Sequence, residues 1–194
     1  QLLVSFALLF CLAIVGFLDD VRNLNPKLRL VFQGIIGVII VLSLVDTEMS
    51  WIILAIAWFW VVGLTNAYNF LDGLDGLAAG IAVVNLLALG VMLYISGNEL
   101  LAIIAVTLAL STCGFLRYNW PPASIFMGDI GSLSLGFVIS ILSLLLLLNN
   151  NFSVKAILAV ILAASLPFGD LVATVLRRLI NGKPVFQGDR GHFY

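Results

Sequence analysis

The sequence predicts an all-α polytopic membrane protein, and three observations carry that prediction. Hydrophobic residues make up 62% of the chain and charged residues only 10%, and the mean hydropathy is +1.19; soluble domains carry about 25% charged residues. The apolar residues fall into runs separated by short polar segments, and about 20 apolar residues suffice to cross a bilayer as a helix. Lys and Arg also segregate. With seven alternating crossings, Arg22, Lys27, Arg29, Arg117, Arg177, Arg178, Lys183 and Arg190 fall on one side and Lys155 alone on the other. Such an excess marks cytoplasmic loops. The composition excludes an ordinary soluble module, and one membrane domain over residues 1–194 is the simplest account. A formal net charge of −1 gives no reason to expect a nucleic-acid partner.

The first span covers roughly residues 1–18 and ends at Asp19-Asp20. The second runs from about Leu28 to Val45, with Lys27 and Arg29 at its start and Asp46 and Glu48 beyond its end. The third begins near Trp51 and reaches Leu64, short for a crossing unless it continues into the Asn66 segment. The fourth, Leu77 to Ile95, leads to the Ser96-Gly97-Asn98 turn; the fifth follows Glu99 and ends near Leu116. The sixth extends from Ser132 to Leu148 and stops at Asn149-Asn150-Asn151, and the seventh covers Ser153 to Leu176 before a basic tail. Gly34 with Gly37, and Gly131 with Gly136, are small enough for close helix contact. Trp51, Trp58, Trp60 and Trp120 read as interfacial or packing residues, and Cys11 and Cys113, without metal-ligand spacing, as buried small hydrophobes. The chain begins at Gln1 without Met and stops within a polar segment, so truncation at both ends is expected.

Three acidic motifs return to the same side: Asp19-Asp20, the segment Asn66 to Gly76 containing Asn69, Asp72 and Asp75, and Phe126-Met-Gly-Asp129-Ile-Gly-Ser132. Each has two readings. Asp19-Asp20 is a solvated helix end paired with Arg22, Lys27 or Arg29, or a place for a divalent cation or a phosphate-bearing lipid. Asn66, Asn69, Asp72 and Asp75 recur every three residues, a spacing that puts all four on one helical or 3₁₀ face and that a merely solvated loop has no reason to keep. Asp129 begins the sixth span, as an N-cap or as a hard-oxygen ligand for Mg²⁺ alongside Asn69 and Asp72. A carboxylate cluster needs cations, and Mg²⁺ between carboxylates and a pyrophosphate supplies them; Arg117, Lys183, Arg190 and His192 are the groups available to hold the phosphates. Asp170, inside the seventh span, is either paired with a cation of the bundle or functional.

These motifs, together with Tyr118-Asn119, Pro122 through Ser132 and Gly188-Asp189-Arg190-Gly191-His192, resemble the polyprenyl-phosphate N-acetylhexosamine-1-phosphate transferases of glycosyl transferase family 4. That family starts the lipid intermediates of enterobacterial common antigen, O-antigen, teichoic acid and peptidoglycan. The resemblance implies transfer of a sugar 1-phosphate from a UDP-N-acetylhexosamine to polyprenyl phosphate, with release of UMP and dependence on Mg²⁺, Mn²⁺ being an alternative. It implies a ten- or eleven-helix bundle in the bacterial inner membrane with a cytoplasmic active site, and leaves room for a homodimer. By the same resemblance Asp19 or Asp20 deprotonates or positions the lipid phosphate and Lys27 contacts it. Asn69 and Asp129 match Mg²⁺ ligands; Asn66, Asp72 and Asp75 match nucleotide-sugar or site-organising positions; Asn119, Arg190 and His192 match substrate-contacting ones. The Tyr118 to Asp129 stretch is nearer the GlcNAc-1-phosphate branch than the phospho-MurNAc-pentapeptide branch. Two departures are a single histidine in the last loop and about three fewer N-terminal spans. A secondary transporter is the rival from another class, but it would place its carboxylates near the midplane within an internal repeat.

Overall fold

The structure, a computed structural model, describes residues 2–46 and 48–180, apart from the side chains of Arg177 and Arg178. Seven helices occupy this stretch: α1 Leu2–Arg22, α2 Pro26–Leu44, α3 Trp51–Leu71, α4 Leu77–Ile95, α5 Glu99–Asn119, α6 Gly128–Asn149 and α7 Val154–Ile180. All seven are long and apolar enough to cross a membrane, and no strand is found among the described residues.

The helix ends differ from expectation where polar side chains supply the missing backbone partners. Asp19 and Asp20 belong to the last turn of α1, because Asp19 itself closes the helix end: its Oδ1 accepts from Leu24 N at 2.6 Å, and Asn23 N reaches Asp19 O at 2.8 Å. Helix α2 starts at Pro26, after Asn25, whose side chain accepts from Lys27 N. Helix α3 does continue through Asn66 and Asn69, and α6 begins four residues earlier than Ser132, so Asp129 lies in its first turn.

Helix α6 is the hub: 67% of its apolar window is buried, against 22% for α1, and it packs on α1, α3, α4 and α7. One apolar cluster joins α1, α2, α3 and α6 around Leu12, Ile40, Val61 and Phe137; a second joins α3 to α7 around Tyr68, Leu86, Leu93 and Ile139. Backbones touch at Gly136, where a Cβ would stand 2.8 Å from Thr65 Cα. Helix α7 contains Pro167, which has no N–H for the carbonyl of Ala163. Asn85 of α4 fills that gap, its Nδ2 donating to Ala163 O at 2.7 Å and to Tyr68 Oη at 2.6 Å.

Outward faces carry lipid-compatible side chains such as Phe6, Phe10, Phe59 and Leu162. Cys11 and Cys113 lie on these faces and are exposed, against expectation; in a membrane an apolar face needs no protein cover. Trp58 and Trp60 pack inward, donating to Gly34 O and Ser143 Oγ at 2.9 Å each, whereas Trp51 and Trp120 are exposed at helix ends.

Candidate active site

Contacts between α1, α2, α3 and α6 bring the three acidic motifs to one end of the bundle. Asp20 Oδ1 and Oδ2 accept from Asp129 N at 2.8 Å and Ile130 N at 3.2 Å. A carboxylate of α1 thus caps the N-terminus of α6, where free N–H groups and the macrodipole favour an anion. Two glycines make this approach feasible. A Cβ on Gly16 would stand 2.7 Å from Ile130 Cα, and one on Gly128, whose φ is +66°, would stand 2.8 Å from Asp20 Oδ2.

This seating places Asp129 opposite Asp19, with Arg29 between them. Arg29 Nη1 donates to Asp19 Oδ2 at 2.5 Å and also to Asp129 Oδ2. The other oxygen, Asp129 Oδ1, accepts from Asn69 Nδ2 at 2.7 Å, and the same nitrogen reaches Ser132 Oγ at 3.0 Å. Asp129 is therefore not the N-cap of its own helix; its carboxylate is turned into the cluster and Asp20 does the capping. One turn deeper, Asn66 Nδ2 donates to Gln33 Oε1 at 2.5 Å and to Val62 O at 2.8 Å. Gln33 Nε2 is the one buried side-chain N or O atom without a partner among the described residues.

Asp72 ends α3 beside this cluster. Burial pushes its carboxyl up to about 7, the negative Asp129 and Asp20 push the same way, and the Gly128 N–H pulls back. The carboxyl is thus poised to exchange a proton near neutral pH.

Asp75 and Asn119 go elsewhere. Helix α3 stops at Leu71, so the three-residue series loses its helical register and Asp75 leaves the shared face. Its Oδ2 accepts from Ala123 N at 2.8 Å. Asn119 is 3% exposed and spans two backbone segments: Oδ1 accepts from Gly76 N and Nδ2 donates to Ile125 O, each at 3.0 Å. Together they fasten the 120–126 loop to the α3–α4 turn, which corrects the expectation that Asp75 shares a face with Asn66, Asn69 and Asp72. Lys27 is exposed in the first turn of α2 with no side-chain partner among the described residues. Asp170 is half-buried on α7, and of its two readings the pairing with a cation is not found among the described side chains. Arg190 and His192 lie outside the described residues.

Sequence reasoning placed Arg29 only among nearby cations and passed over Gly16 and Gln33. Arg29 and Gln33 stand four residues apart on one face of a helix whose only other polar side chains are Lys27 and Ser43, and that polar pair was the available signal.

No three His, Cys, Asp or Glu side chains form a ready cage for a metal among the described residues. Mg²⁺ needs none, since it keeps several waters and is held by one or two carboxylates plus substrate phosphates. Asp129, with Asp19 or Asp72 beside it, fits that requirement, and a half-turn of the Asn69 carboxamide would add a neutral oxygen.

A bundle of membrane-length helices, with carboxylates, a guanidinium and exposed cationic side chains gathered at one end, defines a multi-pass membrane protein. The family model of Glycosyl transferase family 4 matches residues 2–147. The chain is 36% identical over 197 residues to a probable undecaprenyl-phosphate N-acetylglucosaminyl 1-phosphate transferase of Bacillus subtilis (strain 168), covering 95% of this chain and 55% of the relative. It is also 36% identical over 152 residues to a phospho-N-acetylmuramoyl-pentapeptide-transferase of Streptococcus pneumoniae serotype 2, covering 69% of this chain and 47% of that relative. The chain belongs to glycosyl transferase family 4. It spans about half the length of the curated relatives it matches.

Proposed function

We propose that this chain carries the catalytic core of a Mg²⁺-dependent enzyme that moves N-acetylglucosamine 1-phosphate from its UDP donor to undecaprenyl phosphate. The reaction takes place at the cytoplasmic face of a bacterial inner membrane, releases UMP and begins a cell-envelope glycan. The observation that carries the reading is the convergence on Asp129 of Asn69, Arg29 and Asp19, beside Asp72, at the end of the bundle where Arg22, Lys27 and Arg117 also lie. Four described cations at that end and Lys155 at the other favour its cytoplasmic placement.

An oxygen of the lipid phosphate forms a bond to the β-phosphorus of the donor, and the bond from that phosphorus to the bridging oxygen breaks, so UMP leaves. Mg²⁺ would supply charge stabilisation for the transferring and departing phosphates. Asp129, Asn69 and Asp19 or Asp72 are the residues that would hold it. Lys27, exposed two residues before Arg29 in the first turn of α2, would be the cation that meets an incoming lipid phosphate. A phosphate monoester is already largely ionised near pH 7, so Asp19 contributes by fixing Arg29 and the α1–α2 turn more than by removing a proton. Asp20 holds α1 to α6 and thereby sets the position of Asp129. Asp72, its carboxyl pushed up to about 7 by burial and by the negative Asp129 and Asp20, would be a group able to take up or release a proton when no metal is held there.

The relative named as an N-acetylglucosaminyl transferase matches 95% of the chain and the muramoyl-pentapeptide relative 69%, which favours the former donor. Phospho-MurNAc-pentapeptide transfer is the second reading. UMP release by the full-length protein in nanodiscs, with undecaprenyl phosphate, Mg²⁺ and either UDP-GlcNAc or UDP-MurNAc-pentapeptide, separates the two. Release with UDP-GlcNAc alone supports the proposal; release with the muramoyl donor alone replaces it, and absence of release with either donor ends it.

A further inference from the structure

Arg29 stands in the first turn of α2, where the helix dipole disfavours a cation, and its side chain is only 20% exposed. Two carboxylates from two other helices hold it there, Asp19 of α1 and Asp129 of α6. Both bonds use the same nitrogen, Nη1; Nε and Nη2 have no hydrogen-bond partner among the described residues, yet neither is sealed from the exterior. A guanidinium offers five N–H donors in a rigid fork. One nitrogen of this fork is spent on carboxylates, and the other two keep their donors without a protein partner among the described residues.

Each Asp129 oxygen already accepts one hydrogen bond in this state, from Arg29 on one and Asn69 on the other. A divalent cation at Asp129 Oδ2 would be repelled by the guanidinium held on the same oxygen, so its binding favours withdrawal of Arg29. The withdrawn guanidinium then has the planar geometry that suits a phosphate.

We propose that Arg29 is the resident counter-cation of the acidic cluster: it competes with a divalent cation for Asp129 and, once displaced, offers its guanidinium to a substrate phosphate. This deepens the transferase reading and rests on it only for the identity of the phosphate. The competition itself follows from the ion pairs. It also assigns Arg29 a positioning role in the metal-free protein, where it keeps Asp19 and Asp129 from repelling each other across the α1–α6 contact.

Mn²⁺ titration followed by electron paramagnetic resonance, on full-length protein in nanodiscs, tests the competition directly. Arg29→Gln should bind Mn²⁺ roughly tenfold more tightly than wild type, as expected for the loss of one charge-assisted competitor. Equal or weaker binding by a variant that elutes and unfolds like wild type overturns the proposal. A second measurement needs no variant: phenylglyoxal labelling of Arg29, read by peptide mass, should rise when Mn²⁺ is added to wild type and fall again when a phosphate ligand follows. Undecaprenyl phosphate and the UDP-sugar, added separately, reveal which phosphate protects. Labelling that ignores Mn²⁺, or protection by neither ligand, overturns the proposal. UMP release measured on the same preparation keeps the two readings apart. Mn²⁺-dependent labelling without UMP release sinks the transferase reading and leaves the competition standing; UMP release with Mn²⁺-insensitive labelling does the reverse.

Discussion

Asp129 and Asp75 stand at the same end of the bundle, in motifs of similar appearance, and the structure uses them in opposite ways. Around Asp129, side chains from four helices meet one another: Asp19 from α1, Arg29 from α2, Asn69 from α3 and Asp129 itself from α6. Around Asp75, side chains meet backbone, with Ala123 N bound by the carboxylate and Gly76 N and Ile125 O bound by Asn119. The first region keeps charge and ligating oxygens concentrated, with side chains that can be exchanged for a ligand. The second spends its polar atoms on peptide groups that have no other partner. An acidic motif at a membrane surface is therefore not evidence of chemistry by itself, because what the carboxylate faces decides its use.

The comparison is sharpened most by Asp129→Asn. Losing that charge should lower transfer at least about 10³-fold, the scale of removing a principal electrostatic contributor at a reacting centre, with the fold retained because Asp20 still caps α6. The next largest effect comes from Gly16→Ala. The added Cβ would press on Ile130 Cα at 2.7 Å and Asp129 O at 2.8 Å, so it should cost about 1–3 kcal/mol of stability and, by shifting Asp129, about 10²-fold in rate. Thermal unfolding and UMP release measured together would separate these two losses. A wild-type rate in Gly16→Ala would mean that the α1–α6 approach does not position the site.

In the second region, Asn119→Ala should act on stability first. It leaves Gly76 N–H and Ile125 C=O without their side-chain partner and is expected to lower stability by about 1–3 kcal/mol, while the rate per folded molecule stays within roughly tenfold of wild type. Urea or thermal unfolding against specific activity is the check, and a selective loss of activity would move Asn119 into the site. The smallest effect on stability belongs to Asp72→Asn. A carboxyl whose value rises to about 7 on folding stabilises the protein when protonated, and that contribution is lost as pH climbs from the ordinary carboxylate range through about 7. Wild type should thus lose melting temperature between pH 5 and pH 8, and the variant should lose less, by roughly 3 °C. Parallel slopes would show that Asp72 is solvated normally.

Most of the fold was legible in the sequence because a membrane helix is written in length and composition alone. The span from Leu77 to Ile95 agrees residue for residue, since Gly76 and Ser96-Gly97 bound a run that is apolar except for Asn85. Boundaries failed where polar side chains extend a helix, as Asp19 does for α1, because capping by a carboxylate leaves no hydropathy signal. Of the site, Asn69, Asp72 and Asp129 were gathered from spacing and topology. Asp75 was grouped with them because a three-residue period says nothing about the helix stopping at Leu71. Arg29 was missed as the centre of the cluster: its partners lie 10 and 100 residues away in sequence, and the close α1–α6 approach at Gly16 and Gly128 brings them together.

The most direct measurement is a matched pair, Asp129→Asn and Asp75→Asn, in which the same oxygen-to-amide change is made in each region. UMP released per folded molecule from the UDP-sugar and undecaprenyl phosphate would be compared in both. Loss of at least about 10³-fold for Asp129→Asn, with Asp75→Asn within about tenfold of wild type, is the result predicted here. Equal losses in two well-folded variants, or an active Asp129→Asn, would contradict the assignment of the chemistry to the Asp129 cluster.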